Sequence, residues 1–361
     1  MIVDGVRLLN FSSNNYLGLA NRPELRVAAH QASETHGWGA GASRLISGTT
    51  DVHEAFEARF AEFKGFGASL LYTTGYAANL GIIQSLVGSG DYVVGDALNH
   101  ASIIDGARLS GADYRTYAHL DANALDGVLS QVDKSTAKGK RLVVTETVFS
   151  MDGDVAPLAD IVEICERHNA MLLVDEAHAT GCVGPEGKGA LALEGLASRV
   201  TVSMSTLSKA LGSLGGIAAS TESIRSYLVN SSRSFIYTTA LPAPVVAASE
   251  AALGVLQQEP ELVTRLAENS TLMRDGLRAQ GFNILASSTQ IIPIVVGSPG
   301  KTLEFALKLR EKGLFTVAVR PPTVPPGASR VRLSVMATHE AADLHWALTV
   351  FEEAGKELGI L

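Results

Sequence analysis

The chain has 361 residues, of which 46% are hydrophobic and 18% are charged, so it is long enough for a large core and a second domain. The formal net charge of −8 gives no electrostatic reason to expect a nucleic-acid partner or an anionic membrane surface. The two cysteines, Cys165 and Cys182, form no CxxC pair, which argues against a disulfide framework and against a metal site. Neither a signal peptide nor a run of about 18 apolar residues is evident, so we expect a cytoplasmic protein.

Short apolar runs alternate with helical patterns through the middle of the chain, which is typical of a mostly parallel sheet in an α/β domain. Strands are predicted at 70–72, 92–94, 142–145, 171–174, 200–202 and 217–219. Helices are predicted at 51–64, 76–87, 100–110, 121–132 and 157–168. The strand segments are apolar on both faces, as a sheet covered by helices requires. Asp51 is the expected cap of the first of these helices, and Gly65 is its expected end.

The pattern changes after about residue 250. Helices are predicted at 245–280, 301–312 and 339–356, strands at 291–296 and 330–335, and a proline-rich bend at 320–327. We interpret this part as a smaller α+β domain. The predicted division is therefore a short N-terminal segment at 1–17, a large α/β domain at 18–250 and a small C-terminal domain at 251–361.

Lys209 and Asp175 are the most informative pair of residues. Asp175 follows the apolar run 171–174, and Lys209 follows a later apolar run, so each is expected at the end of a buried strand. Pyridoxal phosphate (PLP) needs such a pair, because a lysine amine forms a Schiff base with its aldehyde and a carboxylate keeps its pyridine nitrogen protonated. A lysine after a strand is more often a solvated surface residue, so this interpretation depends on the neighbouring motifs.

Several of those motifs offer contacts to a bound cofactor. The turn at Gly75 and Tyr76 lies between a strand and a helix, where free N–H groups and the positive end of the helix dipole hold a phosphate. His100 opens a helix after another strand and can stack on a pyridine ring, and Ser150 and His178 can reach its phenolate oxygen. Each motif alone has a simpler interpretation, namely an ordinary strand-to-helix turn or a structural histidine.

A substrate carboxylate is expected at the alternating strand near the C-terminus. The planar guanidinium of Arg332 suits two-point capture of a carboxylate. Arg330 lies two positions earlier and therefore shares the same face of the strand. The sequence alone does not decide between these two arginines.

Taken together, these motifs resemble the α-oxoamine synthases, a branch of the fold type I PLP enzymes. The matching segments are 10–19, 75–76, 99–102, 149–153, 175–178 and 206–209, and the resemblance covers almost the whole chain. The fold that it implies is that of an aspartate aminotransferase-like, PLP-dependent transferase. Such a fold has a mostly parallel sheet flanked by helices and a smaller α+β C-terminal domain.

The resemblance also implies a role for each matching residue. Lys209 would form the Schiff base and act as acid and base at the substrate Cα, Asp175 would pair with the pyridine nitrogen, and His100 would stack on the ring. Further cofactor contacts are implied for Gly75, Tyr76, Ser150, His178 and Thr206, and Thr238 or Thr239 would reach the cofactor phosphate of the partner subunit. Substrate contacts are implied for Asn14, Ser43, Thr323 and Arg332.

Within the family, the segment 320–325 is similar to members that condense L-alanine with pimeloyl-CoA, or with a pimeloyl carrier-protein thioester, in biotin biosynthesis. Ser43 agrees with this choice, because a residue smaller than threonine leaves room for the alanine methyl group. The family builds its active sites at a homodimer interface, so a homodimer is implied. The alternatives are the same chemistry with glycine or another acyl thioester, aldol cleavage of a β-hydroxy amino acid, and a non-catalytic PLP-binding protein.

The N-terminus departs from the family pattern. Family members carry a longer segment before the position of Asn10, including an arginine that contacts the substrate, and Arg7 is not in the matching place. We therefore expect either altered recognition of the acyl chain or a shortened chain.

Overall fold

The computed structural model describes residues 1–133 and 139–361. Their contacts divide them into a larger unit, Leu19–Val148 with Val155–Pro260, and a smaller unit, Met1–Gly18 with Phe149–Asp154 and Glu261–Leu361. The strands are β1 (Ile2–Val3), β2 (Val6–Arg7), β3 (Leu9–Asn10), β4 (Ala68–Tyr72), β5 (Tyr92–Asp96), β6 (Asp113–Tyr117), β7 (Arg141–Glu146), β8 (Met171–Asp175), β9 (Val202–Thr206), β10 (Gly216–Ser220), β11 (Ile291–Gly297), β12 (Leu314–Phe315), β13 (Val317–Val319) and β14 (Ser329–Ser334). The α-helices are α1 (Pro23–His36), α2 (Asp51–Lys64), α3 (Gly75–Leu86), α4 (Ala101–Ser110), α5 (Ala122–Asp133), α6 (Leu158–Arg167), α7 (Ala190–Leu193), α8 (Glu222–Ser231), α9 (Arg233–Ile236), α10 (Ala243–Gln258), α11 (Glu261–Ala279), α12 (Pro299–Glu311) and α13 (Ala341–Glu357).

A seven-stranded sheet forms the centre of the larger unit, in the order β4-β10-β9-β8-β7-β5-β6. The strands from β9 to β6 in this order pair in parallel, and β10 is antiparallel to both of its neighbours. Every residue of β4, β5, β9 and β10 is buried, because helices such as α2, α3 and α5 pack against the sheet. The predicted mostly parallel sheet flanked by helices is therefore confirmed.

Helix α2 has the predicted bounds, but its cap lies one residue earlier than expected. The Thr50 hydroxyl accepts from the backbone N–H of His53, and the His53 ring accepts from the backbone N–H of Thr50. The prediction of Asp51 as the cap was wrong; its carboxylate instead lies 2.7 Å from Nε2 of His36. Gly65 ends the helix with a φ of 75°, a left-handed conformation that glycine adopts without steric cost.

Three other elements differ from the sequence-based expectation. Strand β6 was not predicted, because it lies at the edge of the sheet and only Tyr117 among its residues is buried, so no apolar run marks it. Strand β9 begins at Val202 rather than at residue 200. The helical pattern at 245–280 is divided between α10 and α11, since Glu259, which precedes Pro260, has a non-helical conformation.

The smaller unit is built around an antiparallel sheet in the order β11-β14-β13, with a short parallel pair between β3 and β12. Its core includes Phe11, Phe282, Phe305 and Phe351, so the N-terminal segment packs with the C-terminal helices. The sequence-based boundary at residue 250 lies inside α10, whereas the division by contacts falls after Pro260. In the described part of the chain, no helix has the length and apolar character needed to cross a membrane.

Candidate active site

The carboxyl ends of several strands meet at one edge of the larger unit's sheet. Strands β7, β8 and β9 end at Glu146, Asp175 and Thr206, and their parallel pairing places these ends side by side. Open α/β sheets bind ligands at this edge. A cavity of about 190 Å³ lies there, lined by Thr74, Gly75, Tyr76, Asn79, His100, Ser102, Glu146, Asp175, Ala177, His178, Met204, Thr206, Ser208 and Lys209.

Asp175 is a buried carboxylate held by two donors. Its Oδ1 accepts from the backbone N–H of Ala177 at 2.9 Å, and its Oδ2 accepts from Nδ2 of Asn79 at 2.8 Å. Each carboxylate oxygen accepts more than one hydrogen bond. Asp175 is therefore able to accept from the protonated nitrogen of a pyridine ring as well.

Lys209 lies three residues beyond β9 and lines the same cavity. Its Nζ donates to the hydroxyl of Thr206 over 3.3 Å, which keeps the amine beside the end of the strand. The Thr206 hydroxyl in turn donates to the backbone oxygen of Ala177 at 3.3 Å. A half-buried amine in a cavity lined by carboxyl groups is suited to covalent attachment of an aldehyde.

The turn before α3 supplies backbone donors. Oγ1 of Thr74 accepts from the N–H of Ala77 at 3.0 Å, and the Thr74 carbonyl accepts from the N–H of Ala78 at 3.0 Å. In the described structure these bonds leave the N–H groups of Gly75 and Tyr76, the first two of the helix, available to an anion. A Cβ atom at Gly75 would lie 2.3 Å from Cγ2 of Thr206, so glycine is needed for the close approach of β9 to this turn. The turn therefore fits a phosphate group.

His100 is the residue that precedes α4, and its ring is held through Nδ1. Nδ1 accepts from the backbone N–H of Ser102 at 3.2 Å and lies 2.8 Å from the Ser102 hydroxyl. Burial lowers the pKa of His100; the charge of Asp175 opposes this effect, and the charge of Lys209 adds to it. Burial thus favours the neutral ring, and the bond from the Ser102 N–H to Nδ1 favours the tautomer with its proton on Nε2.

Glu146 lies directly beside Asp175 in the register of β7 and β8. One of its carboxyl oxygens accepts from the backbone N–H of His100 at 2.6 Å. Burial raises the pKa of Glu146 well above its ordinary value, and the charge of Asp175 raises it further. Both effects favour the protonated, uncharged form of Glu146.

In the smaller unit, Arg330 and Arg332 share a face of β14 but have different surroundings. Arg330 is only 4% exposed and forms an ion pair with Asp152. Arg332 is half-buried, and it donates to the backbone oxygen of Ser150 at 2.6 Å and to Oδ1 of Asn14 at 3.2 Å. Asp152 therefore pairs with Arg330, whereas Arg332 is the guanidinium that lies beside Asn14.

The structure places only some of the predicted site residues in one cavity. The residues that line the cavity of the larger unit are Gly75, Tyr76, His100, Asp175, His178, Thr206 and Lys209. The residues that belong to the smaller unit are Asn14, Ser150, Thr323 and Arg332. Ser43 pairs with Thr239 in an isolated β-bridge, and Thr238 and Thr239 line a different cavity of the larger unit, with Arg44 and His53. The individual roles of all these residues remain predictions.

Asn79, Ser102 and Glu146 were not predicted as site residues. Asn79 is four positions after Gly75 in α3, and this spacing places both on one face of the helix. Ser102 lies in the matching segment 99–102, but no role was predicted for it. Glu146 ends its strand as Asp175 ends the next one, which is the signal that would have found it.

Comparison with known proteins agrees with this geometry. A family model described as aminotransferase class I and II matches residues 6–351. The chain belongs to this family. Within the family it is similar to a protein of Citrifermentans bemidjiense named 8-amino-7-oxononanoate synthase, with 49% identity over 99% of this chain and 92% of the relative. A protein of the same name from Exiguobacterium sibiricum is 44% identical, over 99% of this chain and 91% of the relative.

Solved structures of the family show the same fold. A serine palmitoyltransferase from S. paucimobilis, with a bound PLP–myriocin aldimine, has a TM-score of 0.96 and 32% identity, over 100% of this chain and 90% of that chain. An 8-amino-7-oxononanoate synthase from Francisella tularensis has a TM-score of 0.82 and 27% identity, over 97% of this chain and 98% of that chain.

These similarities confirm the predicted family, the fold type I architecture and the PLP cofactor. The chain is therefore a PLP-dependent acyltransferase of the 8-amino-7-oxononanoate synthase type, an enzyme of biotin biosynthesis. The donor set of the cavity agrees with this cofactor, since it combines an amine, a buried carboxylate and free N–H groups at a helix start.

Proposed function

We propose that this enzyme condenses L-alanine with pimeloyl-CoA, or with a pimeloyl carrier-protein thioester, to give 8-amino-7-oxononanoate, CO2 and the free thiol. A bond forms between the alanine Cα and the thioester carbonyl carbon. The C–S bond breaks, and so does the bond from Cα to the carboxylate, which leaves as CO2. The Cα proton is removed and a proton is later returned to the same carbon, while the released thiolate takes up one further proton.

One observation carries this proposal: Lys209, Asp175 and His100 line a single cavity at the carboxyl edge of the sheet. An amine for the aldehyde, a carboxylate for the ring nitrogen and a flat neutral ring are the groups that PLP chemistry at an amino-acid Cα requires. The identity to relatives named 8-amino-7-oxononanoate synthase supports alanine and a pimeloyl thioester as the substrates.

Each of these residues would have its own task in the reaction. Lys209 would hold the cofactor covalently through Nζ, Asp175 would accept from its ring nitrogen, and the N–H groups of Gly75 and Tyr76 would hold its phosphate. When bound, PLP withdraws electrons from the substrate Cα. The Lys209 amine, once free, takes the proton from Cα and later returns one to it. The Thr206 hydroxyl keeps that amine in place through the 3.3 Å hydrogen bond.

The remaining predicted residues would contact the phenolate oxygen of the cofactor and the substrates. Ser150 and His178 would donate to the phenolate oxygen. Arg332 and Asn14, already joined by a 3.2 Å hydrogen bond, would bind the alanine carboxylate. Ser43 and Thr323 would line the substrate site.

We also propose a homodimer with shared sites, in the cytoplasm. Thr238 and Thr239 do not line the cavity around Lys209 in the described structure. We propose that one of these threonines contacts the cofactor phosphate in the site of a second copy. Thr239 pairs with Ser43 in a β-bridge, a position that is compatible with a surface that a second copy covers.

Thiol release by the PLP-loaded enzyme tests the proposal. The enzyme is mixed with pimeloyl-CoA and either L-alanine or glycine, and the free thiol is followed over time. Release with alanine and little release with glycine is the expected result. Release only with glycine would assign the enzyme to a sister reaction. No release with either, from protein with a normal cofactor spectrum, would contradict pimeloyl-CoA as the donor.

A second candidate is the condensation of another amino acid with a longer acyl thioester. The observation that favours it is the TM-score of 0.96 to serine palmitoyltransferase, which exceeds the 0.82 to the synthase from Francisella tularensis. The same assay with L-serine and palmitoyl-CoA distinguishes the two, since only this candidate predicts thiol release with that pair.

A further inference from the structure

A buried chain of hydrogen bonds connects Asp175 to His100. Asn79 is 1% exposed, and its Nδ2 donates to Oδ2 of Asp175 at 2.8 Å and to Oγ of Ser102 at 2.9 Å. Ser102 is also 1% exposed, and its Oγ lies 2.8 Å from Nδ1 of His100. One amide and one hydroxyl thus join the carboxylate and the imidazole that the proposed function assigns to the cofactor ring.

The donor and the acceptor in each of these hydrogen bonds follow from the groups at the two ends, the Asp175 carboxylate and the His100 ring. An ionised carboxylate only accepts, so the amide of Asn79 must turn its NH2 group toward Asp175. The opposite orientation would place two acceptor oxygens against each other. Among the described residues, Oδ1 of Asn79 has no hydrogen-bond partner, so Asp175 and Ser102 alone orient the amide.

The bond to His100 also has a defined direction. Because Ser102 accepts from Asn79, its own O–H is free to donate to Nδ1 of His100. The backbone N–H of Ser102 points at the same nitrogen, from 3.2 Å. Nδ1 therefore carries no proton, and Nε2 is the donor that His100 presents.

We propose that Asn79 is a positioning residue that, through Ser102, fixes the Asp175 carboxylate and the His100 ring as one unit. This inference rests on the proposed function, in which Asp175 and His100 contact the cofactor. Asn79 donates both protons of its Nδ2 atom. A rotation of the His100 ring or of the Asp175 carboxylate would therefore break a buried hydrogen bond. The relay Asp175–Asn79–Ser102–His100 thereby holds the ring plane and the Nε2–H tautomer together.

Nitrogen NMR of the PLP-loaded enzyme tests the relay without turnover. The protein is labelled with ¹⁵N-histidine, and the His100 signals are assigned by their loss in His100→Gln. The expected result is the Nε2–H tautomer in the wild type and a shifted Nδ1 signal in both Asn79→Leu and Ser102→Ala. A wild-type His100 with its proton on Nδ1, or an Nδ1 signal that is the same in Asn79→Leu as in the wild type, would overturn the proposal.

A double-mutant cycle supplies the second readout. We expect kcat/KM for thiol release to fall about 10- to 100-fold in Asn79→Leu, which loses a hydrogen bond to a charged group, and about 3- to 10-fold in Ser102→Ala. The double variant should be no worse than Asn79→Leu alone, since both changes cut one relay. Losses that multiply in the double variant would show that the two residues act separately and would overturn the relay.

A matched control separates positioning from ordinary burial of a polar group. Ser85 is also buried in the larger unit and is on the same helix as Asn79, but its hydroxyl donates to the backbone oxygen of Gly81. Ser85→Ala should leave the His100 signals and kcat/KM unchanged. If the wild type does not turn over alanine with pimeloyl-CoA, the proposed function fails, and the NMR comparison still decides the relay.

Discussion

Lys64 and Glu176 form an ion pair that is closed to solvent. Their side chains are 1% and 0% exposed, and Nζ lies 2.6 Å from Oε2. Lys64 also donates to the hydroxyl of Thr180 at 3.0 Å and to the backbone oxygen of Lys188 at 2.6 Å, and Oε1 of Glu176 accepts from the N–H of Leu191 at 3.1 Å. Since Glu176 directly follows Asp175, this pair supports the segment that carries Asp175.

We expect Glu176→Gln to lower the free energy of unfolding by about 3–5 kcal/mol, because the Lys64 ammonium stays buried without a counter-charge. With an unfolding entropy of about 2.1 cal/mol/K per residue, a chain of 361 residues loses about 1.3 °C per kcal/mol, so Tm should fall by about 4 to 7 °C. Lys64→Met should have a loss of similar size. The double variant Lys64→Met/Glu176→Leu should recover part of it, because no charge is then left in the interior.

Thermal unfolding followed by circular dichroism at a fixed PLP concentration measures these differences. Glu352→Gln is the matched control, because Glu352 pairs with Lys356 on the surface of α13, where the side chains are 40% and 66% exposed. Its Tm should equal that of the wild type within error. A Tm for Glu176→Gln within about 2 °C of the wild type, or a double variant less stable than both single ones, would refute the reasoning.

Three further predictions concern the site and its pH dependence. Lys209→Ala should abolish thiol release while PLP binding, followed by absorbance, remains partial; full activity would contradict the assignment. Gly75→Ala should weaken PLP binding about 10-fold or more, because the new Cβ atom would lie 2.3 Å from Cγ2 of Thr206. The control is Gly127→Ala, whose Cβ atom would have nothing within 4 Å, and this variant should bind PLP as the wild type does. Burial lowers the pKa of three histidines, namely His53, His100 and His339. Because these histidines take up protons more readily in the unfolded state, the free energy of unfolding should fall as the pH drops below about 6.5 and continue to fall down to their folded-state pKa values. Denaturant titrations across this range measure the slope, which should be smaller in His53→Gln; an unchanged slope in that variant would contradict the burial argument.

Much of the fold was predictable because buried parallel strands have continuous apolar runs. Strands β5, β7 and β8 and the helices between them were found close to their observed bounds. Strand β6 was missed because an edge strand needs few apolar residues. The cap of α2 was misassigned because Thr50 and Asp51 are both good capping residues, and the contact of Asp51 with His36, 15 residues away, is not visible in a local pattern.

The sequence by itself determined the chemical class of this protein. Lys209 and Asp175 at strand ends, with a glycine turn and a histidine between strand and helix, indicate PLP chemistry because each group has a fixed electronic task. Only the tertiary structure showed which residues lie beside these groups. Asn79 and Glu146 lie far from Asp175 in the chain, and only the packing of α3 and the register of β7 against β8 bring them to its side. The different surroundings of Arg330 and Arg332 are likewise tertiary, because the carboxylate of Asp152 pairs with Arg330 in the interior of the smaller unit.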